Sequence, residues 1–418
     1  MVVHPSEPVD IGQMTGFADL AAAATAARDL SPQVPLALAT LVQVEGSSYR
    51  QPGARLLVDA EGRVLAGAVS GGCLEGDLAA RAGAVCATGV PIRLTYDLRA
   101  DLESIWGLGA ACDGIAHLLL EPLHDPAWFA EAERIRAARG DGAVVTWLSS
   151  ESGRTLLLLE GHPASRHLRP LHPDANRLPW DPVRTAIEVA QRTQATTRHP
   201  IGDDGALLVE PLTAPVALRC VGAGRGAEAF ATIAHTLGWS TTIIDHRPAL
   251  LDALTVPAGT RRLAITAADD PAVVLSQLAH DGRTAVALLS HQFDVDAAWL
   301  EAALPSSVGY IGVLGSRARA GQLLERVAQT LSARGTPLTA RMTQRLHAPI
   351  GLDLGGESPA SIALSAIAEI EAVLHARPAG FLRDRQAPIH TRTPTPRRRD
   401  DAIPVIGTDG LTCDLPER

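Results

Sequence analysis

Residues 218–227 read LRCVGAGRGA, and this stretch decides the fold of the second half of the chain. After an apolar run, Gly222 permits a sharp turn and Gly224 lets backbone approach a pyrophosphate, while Ala227 takes the helix-packing position. The helix that follows such a turn offers free N–H groups to an anion. Asp245 ends the next apolar run, where an acid can bond a ribose hydroxyl. The pattern predicts a Rossmann-like dinucleotide site, with a turn kept for packing alone as the alternative.

The rest of the second half alternates apolar strands with helical segments, which is typical of a parallel sheet built from βαβ crossovers. The predicted strands are 216–221, 241–245, 262–265, 285–289 and 310–314, and the two clearest helices are 318–331 and 359–375. The fold class is therefore α/β, with an N-terminal α+β domain followed by a C-terminal Rossmann-like parallel-sheet domain.

Two further loops follow strands of this sheet, at the edge where open α/β sheets bind ligands. His291 follows the fourth strand and is open to interpretation as an acid, a base or a polar loop residue. Ser316 and Arg317 follow the fifth strand and open a helix. Asp353 and Glu357 lie in a Gly- and Pro-rich turn, which suits a lid or an oligomer contact as well as chemistry.

Composition shifts along the chain divide it into domains. The stretch 161–204 is rich in Pro, His and Arg and is expected to form a surface excursion with one short helix. Beyond Arg377 the chain has six prolines and an arginine run, a composition that favours disorder. The predicted divisions are an N-terminal domain over 1–212, the Rossmann-like domain over 213–377, and a disordered tail over 378–418.

The first half carries two Gly-rich turns with a cysteine. Residues 70–76 read SGGCLEG, in which the following helix would lower the pKa of the Cys73 thiol and Glu75 would partly oppose that. Such a thiolate can be a nucleophile, a persulfide carrier or a soft metal ligand. Residues 106–114 read WGLGAACDG and present Cys112 similarly. A small buried residue is the alternative interpretation of each cysteine. The polar turn before them carries Arg50 and Arg55, an arrangement that grips anions.

Composition excludes several classes of function. The formal charge is −9, and all 37 basic residues are arginines, so standard Walker, Schiff-base and kinase chemistry is absent. The acidic balance and 3% aromatic content argue against a nucleic-acid partner. The five cysteines lack the spacing of a disulfide framework or zinc finger. Without a leader pattern or a membrane-length apolar run, we expect a cytoplasmic protein with no membrane partner.

A series of separate motifs, taken in order, resembles the XdhC/CoxI family, the accessory factors of molybdenum hydroxylases such as xanthine dehydrogenase. The resemblance runs from about residue 36 to residue 377. The motifs are 46–54 (GSS…PGA), 70–76 and 106–114 in the first half, and 222–224, 245–248 (DHRP), 290–291 with 312–317 (GVLGSR), and 349–359 (PIGLDLGGESP) in the second. This chain has Ala110 and Ala111 before Cys112, where many members have a further glycine, and Ser290 in place of a common threonine.

The resemblance implies an assembly factor rather than an enzyme: a protein, often dimeric, that binds the molybdenum cofactor, holds it during sulfuration and delivers it to the apo-enzyme. Cys73 becomes the best candidate for contact with molybdenum or its sulfur, and Cys112 the second. The implied cofactor site consists of Cys73, Cys112, Ser70, Gly71, Gly72, Glu75, Arg50 and Arg55. The implied partners are an apo molybdenum hydroxylase, a second copy of the chain and, as a further candidate, a cysteine desulfurase.

A second hypothesis comes from a different class, a nicotinamide-dependent oxidoreductase that uses the Rossmann-like half. His291 or Asp353 would then lie near the path of the hydride. His246 and Arg247 directly follow Asp245, so the sequence leaves NAD and NADP both open as cofactors.

Overall fold

The computed structural model describes residues 16–99, 114–149, 152–161, 167–202, 205–278, 280–386 and 405–406. These residues fall into two compact units that divide between Thr213 and Ala214, with residues 405–406 in the first unit. Within the described ranges, every helix falls short of the length and hydrophobicity that a bilayer crossing requires.

The first unit is built from four helices and ten main strands. The helices are α1 (Phe17–Leu30), α2 (Glu75–Thr88), α3 (Ala127–Ala137) and α4 (Trp180–Thr193). The strands are β1 (Leu36–Gly46), β2 (Arg55–Asp59), β3 (Val64–Gly67), β4 (Ile92–Asp97), β5 (Gly114–Pro122), β6 (Gly142–Leu148), β7 (Gly153–Glu160), β8 (His167–Pro170), β9 (Thr197–Ile201) and β10 (Gly205–Pro211).

These strands form two antiparallel sheets, in the orders β4-β5-β1-β2-β3 and β8-β7-β6-β10-β9. Helix α2 covers one face of the first sheet, where Leu78 and Ala82 pack against Leu118 in a buried cluster. The opposite face meets the second sheet through a smaller cluster that includes Val42 and Leu208. Each sheet therefore buries apolar side chains on both faces, which explains why β2 is buried along its whole length.

The stretch expected to form a surface excursion with one short helix does contain a helix at the expected place, α4, but this helix is packed into the first unit. Helix α4 buries Val183, Ala186, Ile187 and Ala190 against β6, β7 and β10. This spacing of three and four residues places all four on one helix face. The Pro, His and Arg residues on either side make the stretch polar on average, so its composition does not indicate the apolar face of α4.

The second unit alternates strands and helices throughout. The strands are β11 (Ala217–Val221), β12 (Ser240–Asp245), β13 (Arg261–Ala264), β14 (Thr284–Leu288), β15 (Tyr310–Val313) and β16 (Leu346–His347). The helices are α5 (Arg225–Thr236), α6 (Pro248–Ala253), α7 (Pro271–Gln277), α8 (Phe293–Ala303), α9 (Arg317–Ala333), α10 (Ala340–Thr343) and α11 (Pro359–Leu374).

The six strands of the second unit form the parallel sheet that the alternation predicts. Their order is β13-β12-β11-β14-β15-β16, which is the doubly wound order of dinucleotide-binding folds. Helices α5 and α11 supply Phe230 and Ile367 to a core on one face. Helices α8 and α9 supply Trp299 and Leu323 to a core on the other. The chain changes direction between β11 and β14, so the ligand-binding crevice of this architecture lies at the ends of those two strands.

Most of the predicted tail, 387–404 and 407–418, lies outside the described residues. Within the rest, Leu382–Asp384 forms a single 3₁₀ turn. Val405–Ile406 forms a two-residue strand beside Thr95 and Tyr96 of β4. Disorder of the tail stays a prediction.

Candidate functional site

The glycine turn of the second unit lies between β11 and α5, as its sequence predicts. Gly222 has a φ of 116°, and a side chain there would come within 2.7 Å of the backbone of Leu289 and Ser290. Only glycine suits this conformation and this approach of two chain segments. Gly224 precedes the first residue of α5, and Ala227 is buried in its first turn. The turn therefore presents the helix N-terminus beside the end of β14.

Asp245 ends β12 beside this turn, but its carboxylate is fully engaged by the chain itself. Oδ2 accepts hydrogen bonds from Ala223 N at 2.6 Å and Arg247 Nη2 at 2.8 Å. Oδ1 accepts from Arg247 N and Arg247 Nε, each at 2.9 Å. Burial alone would raise the pKa of Asp245, but the hydrogen bonds from Arg247 and Ala223 lower it to about 2. Asp245 therefore fixes the glycine turn to β12.

The loops after β14 and β15 are joined by a buried carboxylate. Asp296, which is fully buried, accepts a hydrogen bond from Ser290 Oγ at 2.5 Å and from Arg319 Nη2 at 2.7 Å. This places His291, with its φ of 58°, on a loop held from both sides. Such a conformation is uncommon for a residue other than glycine, and it is found mostly where the surrounding structure imposes it.

Ser316, Arg317, Asp353 and Glu357 occupy the same half of the chain but are not drawn into that network. Ser316 caps α9 by accepting a hydrogen bond from Arg319 N at 3.2 Å, and Arg317 is the exposed first residue of the helix. Asp353 and Glu357 are both exposed on the segment before α11. The structure places these four residues at the surface without bringing them into one site.

A cluster that sequence reasoning missed anchors the segment before α11. Glu369 accepts hydrogen bonds from the Tyr310 hydroxyl and from Gly351 N at 2.9 Å, and its Oε1 lies 3.2 Å from His347 Nδ1. Burial raises the pKa of Glu369, but the hydrogen bonds from His347, Tyr310 and Gly351 outweigh it and lower that pKa. Since Glu369 lies 59 residues from Tyr310, no local spacing indicates this cluster.

In the first unit, the side chains of Glu75 and Ser70 hold the turn that carries Cys73 through hydrogen bonds to its backbone. The Glu75 carboxylate accepts hydrogen bonds from the backbone N–H of Val69 at 3.0 Å and of Ser70 at 2.8 Å, and from the Ser70 hydroxyl. Ser70 Oγ in turn accepts from the N–H groups of Gly72 and Leu74, at 3.0 and 3.1 Å. Ser70 and Glu75 therefore shape the turn, which leaves Cys73 half-buried at the start of α2.

The polar loop after β1 contacts this turn and the start of β5. Arg50 Nε donates a hydrogen bond to the Ala68 carbonyl at 3.3 Å. A side chain at Gly71 would lie 3.9 Å from the Tyr49 ring, and one at Gly114 would collide with the backbone oxygen of Ser47. Residues 47–50 therefore contact both the Cys73 turn and Gly114, the last residue of the third motif, whose other residues, 106–113, lie outside the described ranges.

Arg55 lies apart from these contacts. Its guanidinium is buried against Glu210 of β10, with Nη1 2.8 Å from Oε2, and it lies over the rings of Phe17 and Trp128. Arg55, Glu210 and Phe17 line a cavity of about 220 Å³. Arg50 and Arg55 thus belong to one loop in sequence but not to one anion site in space.

The remaining cysteines divide by placement. Burial, together with the Asp59 carboxylate, raises the pKa of the half-buried Cys86, and burial raises that of Cys220 to about 12. Cys112 and Cys413 lie outside the described residues. Among the side chains that the structure describes, no group of three or more His, Cys, Asp or Glu residues is placed to hold a metal ion.

The geometry defines a class: a protein with an α+β unit that carries a shaped cysteine turn, and a second unit of Rossmann type. A family model described as the XdhC Rossmann domain matches residues 218–370, and one described as the XdhC and CoxI family matches residues 30–97. The chain belongs to the XdhC and CoxI family. This confirms the resemblance that the motifs carry and the predicted fold class.

Two known proteins are similar over most of the chain. A probable xanthine dehydrogenase subunit of Bacillus subtilis (strain 168) is 30% identical over 344 residues, which cover 82% of this chain and 94% of that protein. The crystal structure of a xanthine dehydrogenase from Bacillus halodurans matches with a TM-score of 0.66 and 25% identity, covering 86% of this chain and 96% of that one.

Proposed function

We propose that this protein is an accessory factor of a molybdenum hydroxylase such as xanthine dehydrogenase. In this role it binds the molybdenum cofactor, holds it while the terminal sulfur is installed, and delivers it to the apo-enzyme. The observation that carries the proposal is that residues 47–50 contact the Cys73 turn through Tyr49 and Arg50, and contact Gly114 through Ser47. The names of the two similar proteins, both of which refer to xanthine dehydrogenase, support the choice of client.

The residues at these contacts suit the chemistry of the cofactor. That group supplies a soft metal with sulfur ligands, a polar pterin and a phosphate. A thiol at Cys73 matches the soft metal or its sulfur. A Cβ at Gly72 would meet no atom within 4 Å, so backbone there is open to a ligand. The Arg50 guanidinium, which remains charged, suits the phosphate. Ser70 and Glu75 would act by holding the turn in shape.

The arrangement also limits which of the expected residues serve the site. Arg55 pairs with Glu210, so we do not assign it to the phosphate. Cys112 stays a candidate by family resemblance alone. On this proposal the protein acts in the cytoplasm as a homodimer, beside an apo molybdenum hydroxylase and with a cysteine desulfurase as a candidate second partner.

The test compares two cysteines that pack against the same core. Cys73 and Cys86 both contact the buried cluster under α2, one at its start and the other within it. We expect Cys73→Ala, purified from a host that makes the cofactor, to retain at least about tenfold less molybdenum and pterin, equivalent to about 1.4 kcal/mol of binding. Cys86→Ala should retain the wild-type amount. Both contents are measured after denaturation.

Equal cofactor content in the two variants would contradict the role of Cys73. A preparation that retains only nicotinamide nucleotide, unaffected by Cys73→Ala, would favour the oxidoreductase hypothesis. A second experiment co-expresses the client enzyme. Removing this protein should lower the sulfurated, active fraction of the client, and an unchanged fraction would overturn the proposed function.

A further inference from the structure

The carboxylate of Asp245 has no room for a ribose. An ionised carboxylate accepts about four hydrogen bonds. In this structure Ala223 N, Arg247 N, Arg247 Nε and Arg247 Nη2 supply four donors, at 2.6 to 2.9 Å. The Asp245 side chain is only 1% exposed. An acid at this position of a dinucleotide-binding fold ordinarily accepts hydrogen bonds from the ribose hydroxyls. An unphosphorylated ribose would therefore have to displace bonds that are charge-assisted.

Arg247 presents the opposite chemistry at the same place. Its guanidinium donates hydrogen bonds to Asp245 from Nε and from one N–H of Nη2. The other guanidinium N–H groups make no bond to that carboxylate. The side chain is 37% exposed, so solvent or a ligand can reach it. Because Asp245 holds the fork in place, Arg247 offers an oriented donor set for an anionic group.

Three other titratable side chains lie on the segments beside Asp245 and Arg247: a histidine, an arginine and a glutamate. His246 is also 37% exposed, with Nδ1 3.5 Å from Asp245 Oδ1. Arg225 is exposed at the first position of α5, beside the helix N-terminus. Glu228, the acid in the first turn of α5, accepts a hydrogen bond from Thr255 N at 2.7 Å. Arg225 therefore adds an exposed arginine at the N-terminus of α5, while Glu228 in the same turn is engaged by the backbone of Thr255.

We propose that the second unit binds a nucleotide that carries a phosphate on its ribose, of the NADP type, and that Arg247 is the residue that selects it over NAD. The Gly222 turn and the N-terminus of α5 receive the pyrophosphate, as this fold does generally. Arg247 receives the ribose phosphate. Asp245 is a positioning residue that orients the Arg247 guanidinium and holds the turn through Ala223. This inference does not depend on the proposed cofactor role of the first unit.

The experiment uses the full chain and titrates it with NADPH and with NADH, followed by nicotinamide fluorescence. Competition by 2′,5′-ADP and by 5′-AMP isolates the contribution of the ribose phosphate. We expect wild type to bind NADPH at least about tenfold more tightly than NADH, and 2′,5′-ADP to compete correspondingly better than 5′-AMP. NADH binding equal to or tighter than that of NADPH, or no saturable binding of either nucleotide, would overturn the proposal.

Arg247→Ala should reverse the contrast between the two nucleotides. NADPH should bind more weakly because its phosphate loses the guanidinium, while NADH should bind more tightly because acceptor positions on Asp245 are released. Arg247→Lys keeps the charge without the fork and should retain part of the preference. Arg261→Ala, at an exposed arginine on β13, should change neither affinity. A ratio in Arg247→Ala equal to that of wild type, with an unchanged circular dichroism spectrum, would remove Arg247 from the selection.

Discussion

Two acidic residues of this protein have structural roles that their residue type alone does not predict. Glu75 and Asp245, expected at a cofactor site and a ribose site, spend their oxygens on backbone N–H groups of their own turns. A carboxylate that collects several N–H donors holds a turn rigidly, because losing one partner leaves buried donors unpaired. The hydrogen bonds thereby hold the Cys73 turn and the Gly222 turn in one conformation. At the residue scale, the observed role of both acids is to shape these turns.

The acid sensitivity of Asp245 follows from its hydrogen bonds. Its pKa is about 2 in the folded protein against an ordinary 3.8, so the charged form is stabilised by folding. This contribution of about 2 kcal/mol is complete above roughly pH 4 and is lost as the pH falls through 2. We expect Asp245→Asn to lower the free energy of unfolding by about that amount near pH 7.

Urea denaturation followed by circular dichroism measures this difference. The gap between wild type and Asp245→Asn should narrow between roughly pH 4 and pH 2. Asp294→Asn, at a carboxylate whose side chain is 85% exposed, serves as the control and should leave the free energy of unfolding close to wild type. A gap that stays constant with pH would show that the Asp245 charge contributes nothing to stability.

At the scale of elements, tertiary packing decides whether a helix is part of the core, and amino-acid composition alone does not show this. Helix α4 lies in a stretch whose prolines, histidines and arginines suggest an irregular surface segment, yet four of its residues form one buried face. An amphipathic helix needs only about three or four apolar residues in every two turns. The sequence predicts one short helix in this stretch, but its average composition gives no sign that one face of the helix is buried in the core.

Removing the apolar face of α4 tests whether it is integral to the first unit. Ile187 is fully buried, and we expect Ile187→Ala to lower the free energy of unfolding by about 2–5 kcal/mol because it leaves a cavity. Thr185→Ala, on the exposed face of the same helix, should cost less than about 1 kcal/mol. Equal stabilities of the two variants, measured by chemical denaturation, would mean that α4 does not hold the second sheet.

At the scale of the whole molecule, the second unit has its own core on each face of its sheet. The two clusters draw every member from residues 216–374. A domain with a complete core can fold by itself. We expect residues 214–389, expressed alone, to unfold in a single cooperative transition with about 5–15 kcal/mol of stability.

Phe230 provides the check that the isolated unit keeps its native core. Phe230→Ala should lower the stability of the fragment by about 3–5 kcal/mol, because this ring is buried under α5. Thermal and urea unfolding of both fragments supply the measurement. A fragment that melts without a cooperative transition would show that the second unit does not fold on its own.

The sequence by itself determined the parallel sheet, the glycine turn at Gly222 and the cysteine turn at residues 70–76. These features are local: a strand-to-helix rhythm and a glycine that must bend are visible in a few consecutive residues. The motifs also sufficed for membership of the family.

Only the tertiary structure decided how the site residues combine. Arg55 forms an ion pair with Glu210, which is 155 residues away in the sequence. It therefore does not share an anion site with Arg50, although the two arginines lie close together in the sequence. Gly114 of β5 packs closely against Ser47 at the end of β1, a contact between residues that are 67 positions apart in the sequence. The Arg247 guanidinium donates hydrogen bonds to both oxygens of Asp245. The two residues are only two positions apart, but the sequence does not show whether their charges face each other or a ligand. The physical reason is the same in each case: which donor meets which acceptor depends on side-chain directions and strand pairing, and these are set by the packed fold.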